Sequence, residues 1–190
     1  MSESGSWEPG FAAFVASLLP DRPRVVIGGG HVGLSAFQLW KERPDIAELV
    51  AFEPDGLNAG LLALNVWNWG KTPVPVMPMA LGQRIGGATL ACNPSNTGDN
   101  RLWEKIPASL EAGGGDPETW FRQNVVVVAL DEIWRGSLEL LLLDTQGWEP
   151  DVLAGARRLI LEQRPAIVFE WCPHALAAHA VSTVTTFLRG

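Results

Sequence analysis

With 190 residues, 47% of them hydrophobic, the chain is long enough for one domain with a real core and too short to expect two. A formal net charge of −7 without any Lys/Arg cluster excludes the basic stripe of a nucleic-acid binder, and no apolar run approaches the ~18–20 residues that cross a bilayer. Two cysteines far apart, Cys92 and Cys172, and an N-terminus with no basic segment before its apolar stretch predict free thiols and a cytoplasmic protein.

In chain order, "FAAFVASLL" (residues 11–19) has apolar positions on a helical period and ends at Pro20, which predicts a short amphipathic helix within an N-terminal extension, 1–22. The core, 23–172, opens with "RVVIGG", an apolar run too short for a helix and suited to a parallel strand buried on both faces. "HVGLSAFQLWKER" follows with Leu34, Phe37 and Trp40 at helical spacing. "ELVAFEP" is the second strand, and "GLNAGLLALNVWNWG" the second helix, with Leu57, Leu61 and Leu64 on one face. "PVPVMPMAL" reads as a third strand whose prolines place it toward a sheet edge. "ATLAC" is a short strand, and residues 93–121 form an irregular stretch of the kind that carries function. "VVVVALDEIW", "LELLLLD" and "AIVFEWC" are further strands, with one helix over "EPDVLAGARRLILEQ" between the last two and a C-terminal helix over 173–190. Strands alternating with helices define an α/β fold with a doubly wound, mostly parallel sheet covered on both faces.

In such a sheet ligands sit at the carboxyl ends of the strands, where the order reverses. The run Gly28, Gly29, Gly30, His31, Val32, Gly33 follows the first strand, and its lack of Cβ atoms lets the backbone approach a ligand closely. Glu53 ends the second strand, 20 residues after Gly33, where an acid accepts hydrogen bonds from the hydroxyls of an adenosine ribose. The spacing of Gly28, Gly30 and Gly33 satisfies G-x-G-x-x-G, which fits a dinucleotide as well as other adenosine ligands, or a tight turn that binds nothing. His31 either donates to the ligand or tolerates a strained turn.

Five ordered segments narrow the choice: "EPDGLNAGLLALN", "MALGQRIGGATLACNPSNTGDNRL", "VVVVALDEI", "LLLLDTQGWEPDVLAGARRLI" and "RPAIVFEW". Together they resemble the FkbM-type methyltransferases over roughly residues 24–172. The resemblance implies a Rossmann-like class I methyltransferase fold, S-adenosylmethionine as donor, and O-methylation of a hydroxyl on a sugar, a lipid headgroup or a natural product. It would place the Gly29–Gly33 turn on the methionine part of the donor, Glu53 with Pro54 on the ribose, Ala80 and Leu81 by the adenine, and Asp144 with Gly147 beside the transfer site. The family carries an acid where Ile27 stands, a lysine where Leu142 stands and a glutamate where Gln146 stands. It also continues into two more strands where this chain ends in "FLRG", so the sheet is expected to lack that hairpin and to expose "AIVFEWC" at its border. Such an edge predicts a homodimer, or the C-terminal helix folded over it.

Methyl transfer to a hydroxyl needs alignment and a general base. Asp144 is the candidate base; its other reading is a cap for the helix that follows. Glu170 and His174 are expected on the same rim, facing substrate; two carboxylates there could hold a cation, but a solvated rim is the favoured reading and no metal is assigned. His179 reads as helix surface. Asn96 and Asp99, with Asn100 and Arg101, are either substrate-recognising loop residues or ordinary turn formers. Three functions remain open: an S-adenosylmethionine-dependent O-methyltransferase of a small-molecule acceptor; a nicotinamide-dependent oxidoreductase, against which stand the absence of Tyr and of a second domain; and a non-catalytic binding protein on the methyltransferase fold, which Ile27, Leu142 and Gln146 favour.

Overall fold

The computed structural model describes residues 10–69, 74–103 and 117–170. Its elements are α1 (Phe11–Ser17), β1 (Arg24–Gly28), α2 (Leu34–Glu42), β2 (Glu48–Phe52), α3 (Gly56–Asn68), β3 (Val76–Met77), β4 (Ala80–Leu81) and β5 (Gly86–Cys92). They continue with β6 (Arg101–Leu102), β7 (Phe121–Val128), α4 (Leu130–Ile133), β8 (Leu140–Leu143), α5 (Glu149–Gly155), α6 (Arg157–Gln163) and β9 (Ala166–Phe169). The expected C-terminal helix, with Cys172, His174 and His179, lies outside the described residues.

Five strands form a parallel sheet in the order β3-β2-β1-β8-β9. Order reverses at β1, which therefore has a crevice at its carboxyl end. The continuous apolar runs of β1 and β8 have the cause expected of central parallel strands: Val25, Val26 and Ile27, like Leu140 to Leu143, are buried whichever face they point to. Each such side chain stabilises the fold by roughly 1.5–3 kcal/mol. One face packs on α1, α2 and α3 through Ile27, Leu39, Leu62 and Leu142. The other packs on α4, α5 and α6 through Val26, Leu141, Leu143, Leu153 and Leu159.

Four expectations about the elements need correction. "PVPVMPMAL" is not one strand: β3 closes the edge of the parallel sheet, as its prolines require, while β4 enters a second sheet of order β4-β7-β5-β6. "VVVVALDEIW" stays extended only to Val128, and "LDEI" turns into α4. The long helix over 149–163 is two, α5 and α6, meeting at Ala156 (φ −112°, ψ 10°). Here Gly155 lies so close to the chain after β4 that a Cβ on it would sit 1.9 Å from the Gly82 carbonyl oxygen. Finally, α3 buries Asn58, Ala59, Leu62 and Val66, leaving Leu57, Leu61, Leu64 and Trp67 exposed. Both faces of that helix are apolar, so periodicity could not choose between them, and polar anchors at its start set its rotation.

Candidate active site

The β1–α2 turn is shaped by backbone geometry. Gly29 has φ +80°, and a Cβ there would lie 1.8 Å from the carbonyl oxygen of Asp144, so the turn is pressed directly against the end of β8. The N–H groups of Gly29 and Gly30 both donate to the Phe52 carbonyl at 2.9 Å, tying the turn to the end of β2 as well. Gly33 caps α2 in the left-handed region. His31 also has positive φ, 46°, and its ring Nε2 lies 3.0 Å from Thr97 Oγ1. Burial lowers its pKa, opposed by Asp55. Both the turn conformation and this hydrogen bond give the histidine a structural use.

Glu53 is 5% exposed. One of its carboxylate oxygens accepts from the His31 N–H at 2.8 Å and the other from the Asp55 N–H at 2.9 Å. A carboxylate has about four acceptor positions, so two are left for a ligand. Burial pushes its pKa up to about 7, against the two backbone donors and with a further upward push from Asp55 and Asp144. Asp55, which the sequence reading passed over, organises the neighbouring loop. Its Oδ1 caps α3 through the N–H groups of Leu57 and Asn58 at 2.8 and 2.9 Å. Its Oδ2 accepts from Asn100 Nδ2 at 3.0 Å, Gln123 Nε2 at 3.3 Å and the Cys92 thiol at 3.3 Å. Burial, then the hydrogen bond to Asp55, pushes that thiol up to about 12, so it is inert at neutral pH. An aspartate immediately before "GLNAGLL" was the available signal for the cap.

Asp144 follows β8 at the mouth of the same crevice. It does not cap α5, whose N-terminal residue Trp148 carries no side-chain cap. The buried Glu149 orders this turn instead, accepting from Thr145 N at 2.8 Å, Thr145 Oγ1 at 2.9 Å and Gly147 N at 3.0 Å. Asp144 is thus left facing the crevice, where its side chain remains open to solvent although walls surround it on most sides. Partial desolvation raises its pKa to about 6; the Gln146 amide lowers it, and Glu170 and Glu149 raise it. Gln146, at φ 54°, donates from one nitrogen to Asp144 Oδ1 at 2.6 Å and to Glu170 Oε2 at 3.1 Å. One neutral amide therefore holds two carboxylates together.

These groups line one cleft of about 720 Å³. It brings together Gly29, Gly30, His31, Glu53, Pro54, Ala80, Leu81, Asn96, Asp99, Asn100, Asp144 and Glu170, all expected from the sequence, and adds Thr97, Gln146 and Trp148. Gly28, Gly33 and Gly147 are not among the lining residues; they shape the turns behind the wall. Asn96 and Asp99 are used locally: Asn96 accepts from the Gly98 N–H, and Asp99 is ion-paired with the buried Arg101. Among the described lining residues no Lys or Arg occurs, while Glu53, Asp144 and Glu170 are acids without an ion pair. No group of three His, Cys, Asp or Glu that could hold a metal ion is found among the described residues, and no described helix is long and apolar enough to cross a membrane.

A glycine turn and an acid on adjacent strands, opening on a cleft at the switch point of a 3-2-1-8-9 sheet, define a Rossmann-like fold. Solved structures of the class I methyltransferase type of this fold superpose on the chain. A methyltransferase FkbM from Methylobacillus flagellatus has a TM-score of 0.64 at 18% identity, over 92% of this chain and 39% of that one. A SAM-dependent O-methyltransferase from Thermotoga maritima has 0.53 at 13% identity, over 95% and 49%. A precorrin 8w decarboxylase from Methanobacterium thermoautotrophicum has 0.51 at 12% identity, over 97% and 72%, so the fold alone does not select a reaction. The chain spans less than half the length of the first two. No curated protein matches it in sequence. The model of the methyltransferase FkbM domain matches residues 29–188, and the chain belongs to that family.

Proposed function

We propose that the protein is an S-adenosylmethionine-dependent methyltransferase that acts on a hydroxyl oxygen of a small molecule. The observation that carries this reading is buried Glu53, uncompensated by any cation among the described residues, with one backbone donor on each oxygen and two acceptor positions left toward the cleft. A ribose with two free hydroxyls fits it, and the acidic lining favours a cationic donor over the pyrophosphate of a nicotinamide cofactor.

S-adenosylmethionine supplies an activated methyl group on a sulfonium, so the protein's task is placement. Glu53 would hold the ribose, the Gly29–Gly30 backbone would leave room for the methionine part, and Ala80 and Leu81 would give the adenine an apolar wall. Asp144, with a pKa near 6, is ionised at neutral pH and would take the proton from the acceptor hydroxyl. Gln146 fixes its orientation through the 2.6 Å hydrogen bond.

Thermal unfolding with added ligands tests the reading. S-adenosylhomocysteine at 100 times its dissociation constant is expected to add ~2.7 kcal/mol and NAD nothing. A shift with NAD alone overturns the methyltransferase reading, and no shift with either points to a fold kept for another kind of binding.

A further inference from the structure

The cleft has a second arm, away from Glu53, whose floor is a row across three strands. Ile27 of β1 is the register partner of Leu142 of β8, and Leu142 is the register partner of Val168 of β9. Register partners in a parallel sheet project to the same face; here that face carries α1 and α2. All three line the cleft, Ile27 and Leu142 as buried residues beneath it and Val168 partly exposed, together with Phe11 of α1 and Leu34 of α2. Leu34 is 41% exposed, so this wall presents apolar surface to the cleft's water. The arm is continuous with the transfer end, because Asp144 stands two residues beyond Leu142 and Glu170 two beyond Val168. Its polar described lining residues near α2, Ser35 and Gln38, are uncharged, and the charges at its mouth are the Asp144 and Glu170 carboxylates.

We infer that Ile27, Leu142, Val168 and Leu34 select an acceptor with an apolar body and an uncharged hydroxyl head: an aliphatic or aromatic alcohol, in preference to a sugar or an anion. The inference rests on the methyltransferase reading for what happens at the head. The tail would displace water from Leu34 and Val168 beside the buried Ile27 and Leu142, and the hydroxyl would lie at Asp144. A sugar would leave its ring hydroxyls without partners against this row, and a carboxylate head would meet two acids with no cation between them.

Calorimetric titration of the full chain with 1-butanol, 1-hexanol and 1-octanol, with and without saturating S-adenosylhomocysteine, tests this. Affinity is expected to rise about fourfold per methylene as the tail leaves water, with methyl glucoside and octanoate at least tenfold weaker than 1-octanol. Leu34→Gln, at a half-exposed helix position that tolerates the change, is expected to weaken 1-octanol about tenfold and leave S-adenosylhomocysteine affinity unaltered. Val168→Thr, close in shape, should weaken it less, in the same direction. S-adenosylhomocysteine binding with a flat chain-length series, with a preference for the glucoside, or with 1-octanol affinity indifferent to both substitutions overturns this inference alone. A rising series without any S-adenosylhomocysteine binding supports the apolar arm and overturns the methyltransferase reading instead.

Discussion

Glu53 makes the stability of the free protein depend on pH in a direction opposite to that of a salt-bridged carboxylate. Burial raises its pKa from the ordinary 4.5 to about 7. Between those values the folded protein holds a proton that the unfolded chain has already released. The stability tied to this group is therefore fully present below pH 4.5 and is lost as pH rises through 7. At about 1.36 kcal/mol per pH unit separating the two values, the loss is about 3 kcal/mol. Glu53→Gln removes the titration. It also leaves one of the two backbone N–H groups, His31 or Asp55, without its carboxylate oxygen, a pH-independent cost of about 1–3 kcal/mol. Urea unfolding of both proteins from pH 5 to 8.5, with equal m-values, separates the two effects. The wild type is expected to lose about 2.5 kcal/mol more than Glu53→Gln across that range, which begins above the unfolded value. Asp144, displaced upward in the same sense mainly by its own partial desolvation, is present in both proteins, so that part cancels and only its coupling to Glu53 enters the difference. Parallel stability profiles would refute the account of Glu53 as a buried, uncompensated acid.

Asp144→Asn keeps shape and one acceptor oxygen, so donor affinity should survive while methyl transfer falls roughly 10²–10⁴-fold. The wild-type rate should rise through about pH 6 as the carboxylate ionises and lose that rise in the variant; an unchanged rate assigns the base elsewhere, with Glu170 next. Asp55→Ala removes the α3 cap and leaves three donors without their shared acceptor. The sum is roughly 4 kcal/mol, or a melting temperature lower by about 10 °C. Calorimetry checks it, and a fall of less than ~3 °C would show that the 93–101 loop is held by other contacts.

The strand-turn-helix at 24–42, the acid at 53 and the aspartate at 144 were legible because they are local: period, glycine spacing and strand ends are written in consecutive residues. Buried parallel strands must be continuously apolar, which made β1, β2 and β8 readable without any knowledge of their neighbours. Resemblance supplied the family, again from ordered local segments. Only the tertiary structure could say which face of α3 turns inward, since Leu57 and Leu62 are equally apolar and the choice is made by Asp55 and by Asn58, which donates to the Thr97 carbonyl 3.3 Å away. It alone converted the "EPDVLAGARRLILEQ" period into two helices, because the approach of Gly155 to Gly82 involves residues 73 positions apart. The same holds for the two roles weighed for Asp144. A cap and a cleft-facing carboxylate look alike in sequence, and they separate only when Glu149 is seen to order the turn and Gln146 to tether Asp144 beside Glu170. The departures at Ile27 and Leu142 looked like two separate losses along the chain. Sheet register makes them neighbours on one wall, and a wall is a property of strands brought together from distant parts of the sequence.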